Sequence, residues 1–151
     1  MSSVWLTESM RPEDVEGVYQ IEMECFSQPW SKEALAEEAG GRQDAHYLVV
    51  RDGGRVIGYG GFRQVLDEAH ITNIAVTESM RGQGVAKAIM IGLEDLCGPL
   101  GIMYMTLEVR ISNTAALQLY ESCGFVSAGI RPGYYEKPRE DAVIMWKNLF
   151  K

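Results

Sequence analysis

The stretch ITNIAVTESMRGQGVAKAIMI, Ile71 to Ile91, decides the fold. It opens on a strand-like apolar run, ITNIAV, passes through a turn carrying Gly82 and Gly84, and continues as apolar residues at helical spacing. Ala86, Ile89, Met90, Leu93 and Leu96 fall on one helix face, Lys87, Glu94 and Asp95 lie elsewhere, and Gly98-Pro99 ends the run. A strand that feeds a helix through a glycine-rich turn aims several backbone N–H groups at one spot, where the helix dipole adds partial positive charge. Arg81, Gly82, Gln83, Gly84, Val85 and Ala86, with Lys87 after them, therefore read as an anion cradle of pattern R-x-x-G-x-A. The cradle is not a P-loop, because no Lys-Ser or Lys-Thr pair follows its last glycine. Nor does it fit the dinucleotide fingerprint, since Lys87 stands where a third glycine belongs. Both departures argue against a nucleoside triphosphate or a nicotinamide cofactor.

Outward from this segment the chain alternates strands and helices. A strand over Ile102 to Val109 follows the cradle helix, and a helix of that length between two strands is what a right-handed parallel crossover requires. Upstream, His46 to Arg51 and Val56 to Val65 form a hairpin about Asp52-Gly53-Gly54-Arg55, and His70 to Val76 adds a third antiparallel strand. Before it come a short strand over Val4 to Thr7, a helix opened by Arg11-Pro12-Glu13-Asp14 and carried to Cys25, and a helix over Lys32 to Ala39 capped by Ser31 and ended by Gly40-Gly41. Downstream come a helix from Asn113 to Cys123 closed by Gly124, a strand over Phe125 to Arg131, a Pro132-Gly133 turn with an irregular stretch, and a last strand over Ala142 to Lys147. Gly92, inside the cradle helix, marks close packing on the sheet. The expected architecture is α/β with a mixed sheet.

Composition narrows the function classes. The 151 residues suit a single domain over 1–151, and 46% hydrophobic with 23% charged content excludes disorder. No apolar run is long enough to span a membrane and MSSVWLTESM lacks the form of a secretory signal, so a cytoplasmic protein without a membrane partner is expected. Cys25, Cys97 and Cys123 are odd in number and far apart, with two histidines in the chain, which argues against a disulfide framework or a metal site and for buried structural thiols. A net charge of −7 argues against nucleic acid as the ligand and is compatible with a cationic or amine substrate.

A second cluster makes the cradle specific. In LEVRISNTAALQLYESCGF, Leu107 to Phe125, Glu108 stands near a strand end, Asn113 at a helix start and Tyr120 two turns into that helix. Acyl transfer from a thioester to an amine needs a base for the ammonium proton, donors for the thioester oxygen and an acid for the departing thiolate. Glu108 fits the base and Tyr120 the acid. A solvated strand glutamate, a core tyrosine beside Ala116, Leu119 and Cys123, and an N-cap at Asn113 are the structural alternatives, and the last is compatible with ligand contact.

With Ile74-Ala75-Val76, the cradle, LEVRISN and ALQLYESCGF together, the chain resembles the GNAT superfamily of acetyl-CoA-dependent N-acetyltransferases. Within it, QPWS at Gln28, VLDEA at Val65 and GYYEKPREDAVIM at Gly133 resemble the enzymes that acetylate the N-terminal alanine of a small-subunit ribosomal protein. The resemblance implies a GNAT fold: a central, mostly antiparallel sheet of about seven strands splayed into a V, flanked by about four helices, with acetyl-CoA in the gap and no metal. It implies Glu108 as general base and Tyr120 as general acid. Ile74, Ala75 and Val76 would pair with the pantetheine arm, Gly82 through Lys87 would hold the pyrophosphate with Arg81 beside it, and Asn113 would contact the coenzyme. The protein N-terminus would enter from the opposite face, past Trp30, Arg131, Tyr134 and Tyr135. Two departures stand out: Ala86 occupies a position where close relatives carry glycine, and Glu136-Lys137-Pro138 is a short connection. An acetyltransferase for a polyamine or aminoglycoside, or a non-catalytic acetyl-CoA-binding module, would use the same cradle.

Overall fold

The computed structural model describes residues 5–40 and 43–150. Its strands are β1 (Glu8–Ser9), β2 (Ala45–Asp52), β3 (Arg55–Val65), β4 (Glu68–Val76), β5 (Tyr104–Arg110), β6 (Val126–Glu136) and β7 (Arg139–Asn148), and its helices are α1 (Val15–Cys25), α2 (Lys32–Ala39), α3 (Val85–Cys97) and α4 (Thr114–Ser122). The strands form one seven-stranded sheet in the order β1-β2-β3-β4-β5-β7-β6. β4 and β5 run parallel and all other neighbours antiparallel, as the helix between them demands. The mixed α/β architecture read from the sequence is the one observed.

Local signals set the element ends. Gly53 and Gly54, at φ 61° and 86°, close the β2–β3 hairpin. Ser31 Oγ accepts the Ala34 N–H at 3.1 Å to cap α2. Gly40 closes that helix, while Gly41 lies outside the described residues. Alternation along the strands then sends side chains to two cores. Leu48, Val50, Ile57, Leu107 and Val109 pack with Ile89 and Leu93 of α3, whereas Tyr47, Val49, Tyr59 and Ala75 pack with Val18 and Ile21 of α1 and Leu35 of α2. Burying a side chain such as Ile89 or Leu93, each fully enclosed, contributes about 2 kcal/mol. α3 approaches so closely that a Cβ on Gly92 would lie 2.8 Å from Thr7 Oγ1 and 2.9 Å from Leu48 Cδ1.

Two expectations are corrected. The first strand is not Val4 to Thr7: Val4 lies outside the described residues, residues 5–7 are not strand, and pairing with β2 involves Glu8 and Ser9. The reason is that Trp5 donates its indole N–H to the Gln83 carbonyl at 2.9 Å and Thr7 packs at Gly92, drawing this segment over α3. Pro132-Gly133 is not a turn between strands but an irregularity inside β6, which continues to Glu136. Gly133 takes φ 60° and donates its N–H to Asp141 Oδ1 at 2.8 Å, so the ladder resumes at Tyr135 opposite Glu140 and the chain reverses between Glu136 and Arg139. Tyr134 and Tyr135 therefore stand on a strand.

One feature of the sheet positions everything else. β4 and β5 pair only at Glu68 with Tyr104, Ala69 with Met105 and His70 with Thr106; beyond that they part, while β3 follows β4 to Val76 and β7 follows β5 to Arg110. The sheet is thus split into two halves with a gap between them.

Gly61 of β3 supports this arrangement, because a Cβ there would fall against the Tyr47 ring. Gly61→Ala is expected to destabilise the protein by about 2 kcal/mol in chemical denaturation. Gly98→Ala, at φ −54° with open space around it, is expected to be neutral or slightly stabilising. Equal effects of the two would show that the Gly61–Tyr47 contact does not matter.

Candidate active site

The gap between β4 and β5 holds a cavity of ≈ 400 Å³. Of the residues singled out from the sequence, Trp30, Ile74, Glu108, Asn113, Tyr120 and Tyr135 line it. Ala75 and Val76 lie at the end of β4, both buried, and Arg81 to Ala86 follow as the turn into α3. Gly82 and Gly84 adopt φ 77° and 85°, conformations that favour glycine, and no protein atom lies within 4 Å of where a Cβ would stand on either. The space beside both glycines is open, which leaves room for an anion at the entry to α3. Arg81 is anchored by its Nε donating to the Val76 carbonyl at 3.1 Å and by Nη2 lying 3.2 Å from Cys25 Sγ. Lys87 lies apart from these groups, in a second cavity of ≈ 180 Å³ with Met90, Cys123 and Lys147.

The polar side chains come from separate elements. Glu108 alternates with Leu107 and Val109, which join the α3-side core, so its carboxylate emerges on the α1 side of the gap. It is partly exposed, with Arg131 Nη2 at 3.7 Å from Oε1. Tyr120 approaches from α4, its ring 6.0 Å from that of Phe125. Burial pushes the Tyr120 phenol well above its ordinary pKa, with smaller contributions from Tyr135 and Cys123, so it is a proton carrier at neutral pH. Asn113 Oδ1 caps α4 by accepting the Ala116 N–H at 3.1 Å. Tyr134 packs edge-on against Tyr135 at 5.0 Å, and the Arg110 guanidinium lies 4.3 Å from the Tyr135 ring centre. Arg110 of β5 also donates to the Pro138 carbonyl at 2.8 Å, and Ser27 Oγ to the Lys137 carbonyl at 2.5 Å, tying β5 and the α1–α2 connection to the β6–β7 turn.

Two residues of the cavity were missed. Glu22, fully buried on α1, accepts from the Trp30 N–H at 2.7 Å, from Asn73 Nδ2 at 3.0 Å and from the Tyr59 hydroxyl. Asn73 occupies a buried position of β4, and its Oδ1 has no partner. A buried acceptor left unpaired costs about 1–3 kcal/mol. The signals were present: a carboxylate at apolar spacing with Val18, Ile21 and Cys25, and an amide inside ITNIAV. Of the cysteines, Cys97 is a buried structural thiol raised to about 11 by burial, while Cys25 lines the cavity.

Comparison with known proteins bears on this site. The chain belongs to the Acetyltransferase (GNAT) family, whose profile matches residues 15–125. It is 41% identical, over 93% of each chain, to a Bacillus subtilis (strain 168) protein provisionally named a [ribosomal protein bS18]-alanine N-acetyltransferase. It is 38% identical to the Escherichia coli (strain K12) [ribosomal protein bS18]-alanine N-acetyltransferase, over 91% of this chain and 93% of that protein. The crystal structure of the ribosomal-protein-S18-alanine N-acetyltransferase from Escherichia coli superposes with a TM-score of 0.87 at 34% identity, covering 97% of this chain and 95% of that one. The chain is thus an acetyltransferase of a family that draws its acetyl group from acetyl-CoA, and its mixed sheet is the GNAT fold.

Glu22 offers a test of the buried network. Burial raises its pKa from the ordinary 4.5, the Trp30 and Asn73 donors offsetting part of the rise. The folded state therefore binds this proton more tightly than the unfolded chain, a contribution complete below about pH 4.5 and lost as pH rises through the folded value. Glu22→Gln removes the titration, so its stability relative to wild type is expected to improve between pH 4 and pH 8 in urea denaturation. The opposite trend would place the folded pKa below the unfolded one.

Proposed function

We propose that this enzyme transfers the acetyl group of acetyl-CoA to the N-terminal α-amine of a protein, with the N-terminal alanine of ribosomal protein bS18 as the target. The relatives' names supply that target, and a cytoplasmic setting goes with it. The observation that carries the chemistry is that a carboxylate and a buried phenol from different elements, Glu108 of β5 and Tyr120 of α4, line one cavity beside the parted edge of β4.

Acetyl-CoA supplies an activated thioester. The open backbone at Gly82 and Gly84 fits its pyrophosphate, with Gln83, Val85, Ala86 and Lys87 completing the helix entry and Arg81 beside it. Ile74, Ala75 and Val76 lie on the stretch of β4 that has lost β5, and the backbone groups on its free edge fit pairing with the pantetheine arm and an N–H for the thioester carbonyl, the Val76 carbonyl itself being taken by Arg81. Asn113 at the start of α4 is a further coenzyme contact.

Glu108 takes the ammonium proton, directly or through a water, and frees the lone pair for attack on the carbonyl carbon. Tyr120 delivers a proton to the sulfur as the carbon–sulfur bond breaks. Trp30, Tyr134, Tyr135 and Arg131 border the acceptor side, where Ser27 ties the α1–α2 connection, and Arg110 ties β5, to the β6–β7 turn.

Intact-mass measurement with acetyl-CoA and three amines tests the class: an alanyl peptide, the same peptide N-blocked but bearing lysine, and a polyamine. Acetylation of the alanyl peptide alone is expected, and preference for the polyamine would overturn the reading. Tyr120→Phe is expected to lower kcat about 100-fold with acetyl-CoA affinity held within about twofold. Loss of affinity in proportion would make Tyr120 a packing residue. Glu108→Gln is expected to lower kcat/KM for the alanyl peptide about 100-fold; unchanged turnover would remove it as base.

A further inference from the structure

We propose that Asn73 is a substrate-recognition residue whose Oδ1 accepts an N–H of the acceptor's α-amine, and that Glu22 is the positioning residue that aims it. This rests on the N-terminal acetyltransferase reading above. The starting observation is the isolation of Asn73 Oδ1: the residue is 8% exposed, lines the cavity, and this oxygen has no hydrogen-bond donor. Buried acceptors in native structures almost always have a donor, so an unpaired one on a cavity wall marks a place where a ligand or an ordered water supplies it.

The orientation of the amide is dictated by its neighbour. Glu22 Oε2 accepts from both the Tyr59 hydroxyl and Asn73 Nδ2 while Oε1 accepts from the Trp30 N–H, so the oxygen that faces Asn73 is already doubly occupied by donors. A carboxylate in that state can face only the NH2 end of an amide. Oδ1 is therefore turned away from Glu22 and is held there by a side chain that is itself 0% exposed.

Strand parity says which ligand it meets. Asn73 shares its face of β4 with Ala75, which packs on the α1 side, and Glu108 of β5 emerges on that same side because Leu107 and Val109 pack toward α3. Asn73 and the proposed base thus stand on facing strands on the same side of the gap, the side opposite the cradle helix. A primary amine that gives one proton to Glu108 keeps two N–H groups, and donation of one of them to Oδ1 fixes the direction of its lone pair. The thioester carbonyl accepts only and has nothing to offer this oxygen.

The experiment compares two peptides on the coenzyme A-bound enzyme: an alanyl hexapeptide and the same peptide with an N-terminal propionyl group, which has the methyl but no amine. Removing the amine is expected to weaken binding to wild type about tenfold and to weaken binding to Asn73→Ala only about threefold, the part that the Glu108 contact still supplies. In steady state, Asn73→Ala is expected to raise KM for the alanyl peptide about tenfold while KM for acetyl-CoA stays within about twofold. Should Asn73→Ala fail to fold by circular dichroism, Glu22→Gln keeps the volume, frees the amide to reverse, and is expected to show the same loss of amine discrimination. Equal weakening of both peptides, retained discrimination in both variants, or a rise in KM for acetyl-CoA instead would overturn the assignment. If wild type does not acetylate alanyl peptides at all, the functional reading falls first; if it does and the variants discriminate as wild type does, only the Asn73 assignment falls.

Discussion

β4 and β5 part after three paired positions, and the rest of the molecule is arranged around the edges this exposes. A strand edge that loses its neighbour leaves backbone N–H and C=O groups seeking partners. Here both edges stay rigid, because β3 holds β4 from its far side and β7 holds β5 along its whole length. The gap is a feature of two well-braced half sheets. α3 and α4 close one face and α1 with α2 the other, so a thioester and an amine can approach the same opening from opposite sides.

The polar groups follow the same division. On the α3 side the helix entry offers open glycine backbone and the buried Tyr120 phenol. On the α1 side lie Glu108 and the chain of buried donors and acceptors through Tyr59, Glu22, Trp30 and Asn73. Burying the Glu22 carboxylate is costly in itself and is offset in part by the donors around it. Such a network holds α1 at a fixed distance from β4. Ser27 joins the α1–α2 connection to the short β6–β7 turn, and Arg110 anchors the same turn to β5, so this turn borders the acceptor side.

The cradle, the parallel crossover, the α2 cap at Ser31 and the β2–β3 turn were legible because each depends on a few neighbouring residues with strong local preferences. Glu108, Asn113 and Tyr120 could be grouped because they sit within one strand–helix segment, and the structure places all three on one cavity. Contacts far apart in sequence were harder to see. Residues 5–7 left the sheet for Gln83 and Gly92, and β6 ran through Pro132-Gly133 because Asp141, eight positions on, satisfies the Gly133 N–H. Glu22 and Asn73 lie 51 positions apart and neither has a motif; each shows only as a polar residue at an apolar position, which becomes meaningful once α1 is packed on β4.

The central claim is that the parted edge of β4 and the cradle at the start of α3 form one coenzyme site. Backbone amide hydrogen exchange, measured by mass spectrometry with and without saturating coenzyme A, tests it most directly. The expected result is new protection over residues 71–76 and 82–87 together, with β1 and β2 unchanged. Protection confined to residues 122–125 at the second cavity, or protection of the cradle without the β4 edge, would contradict it.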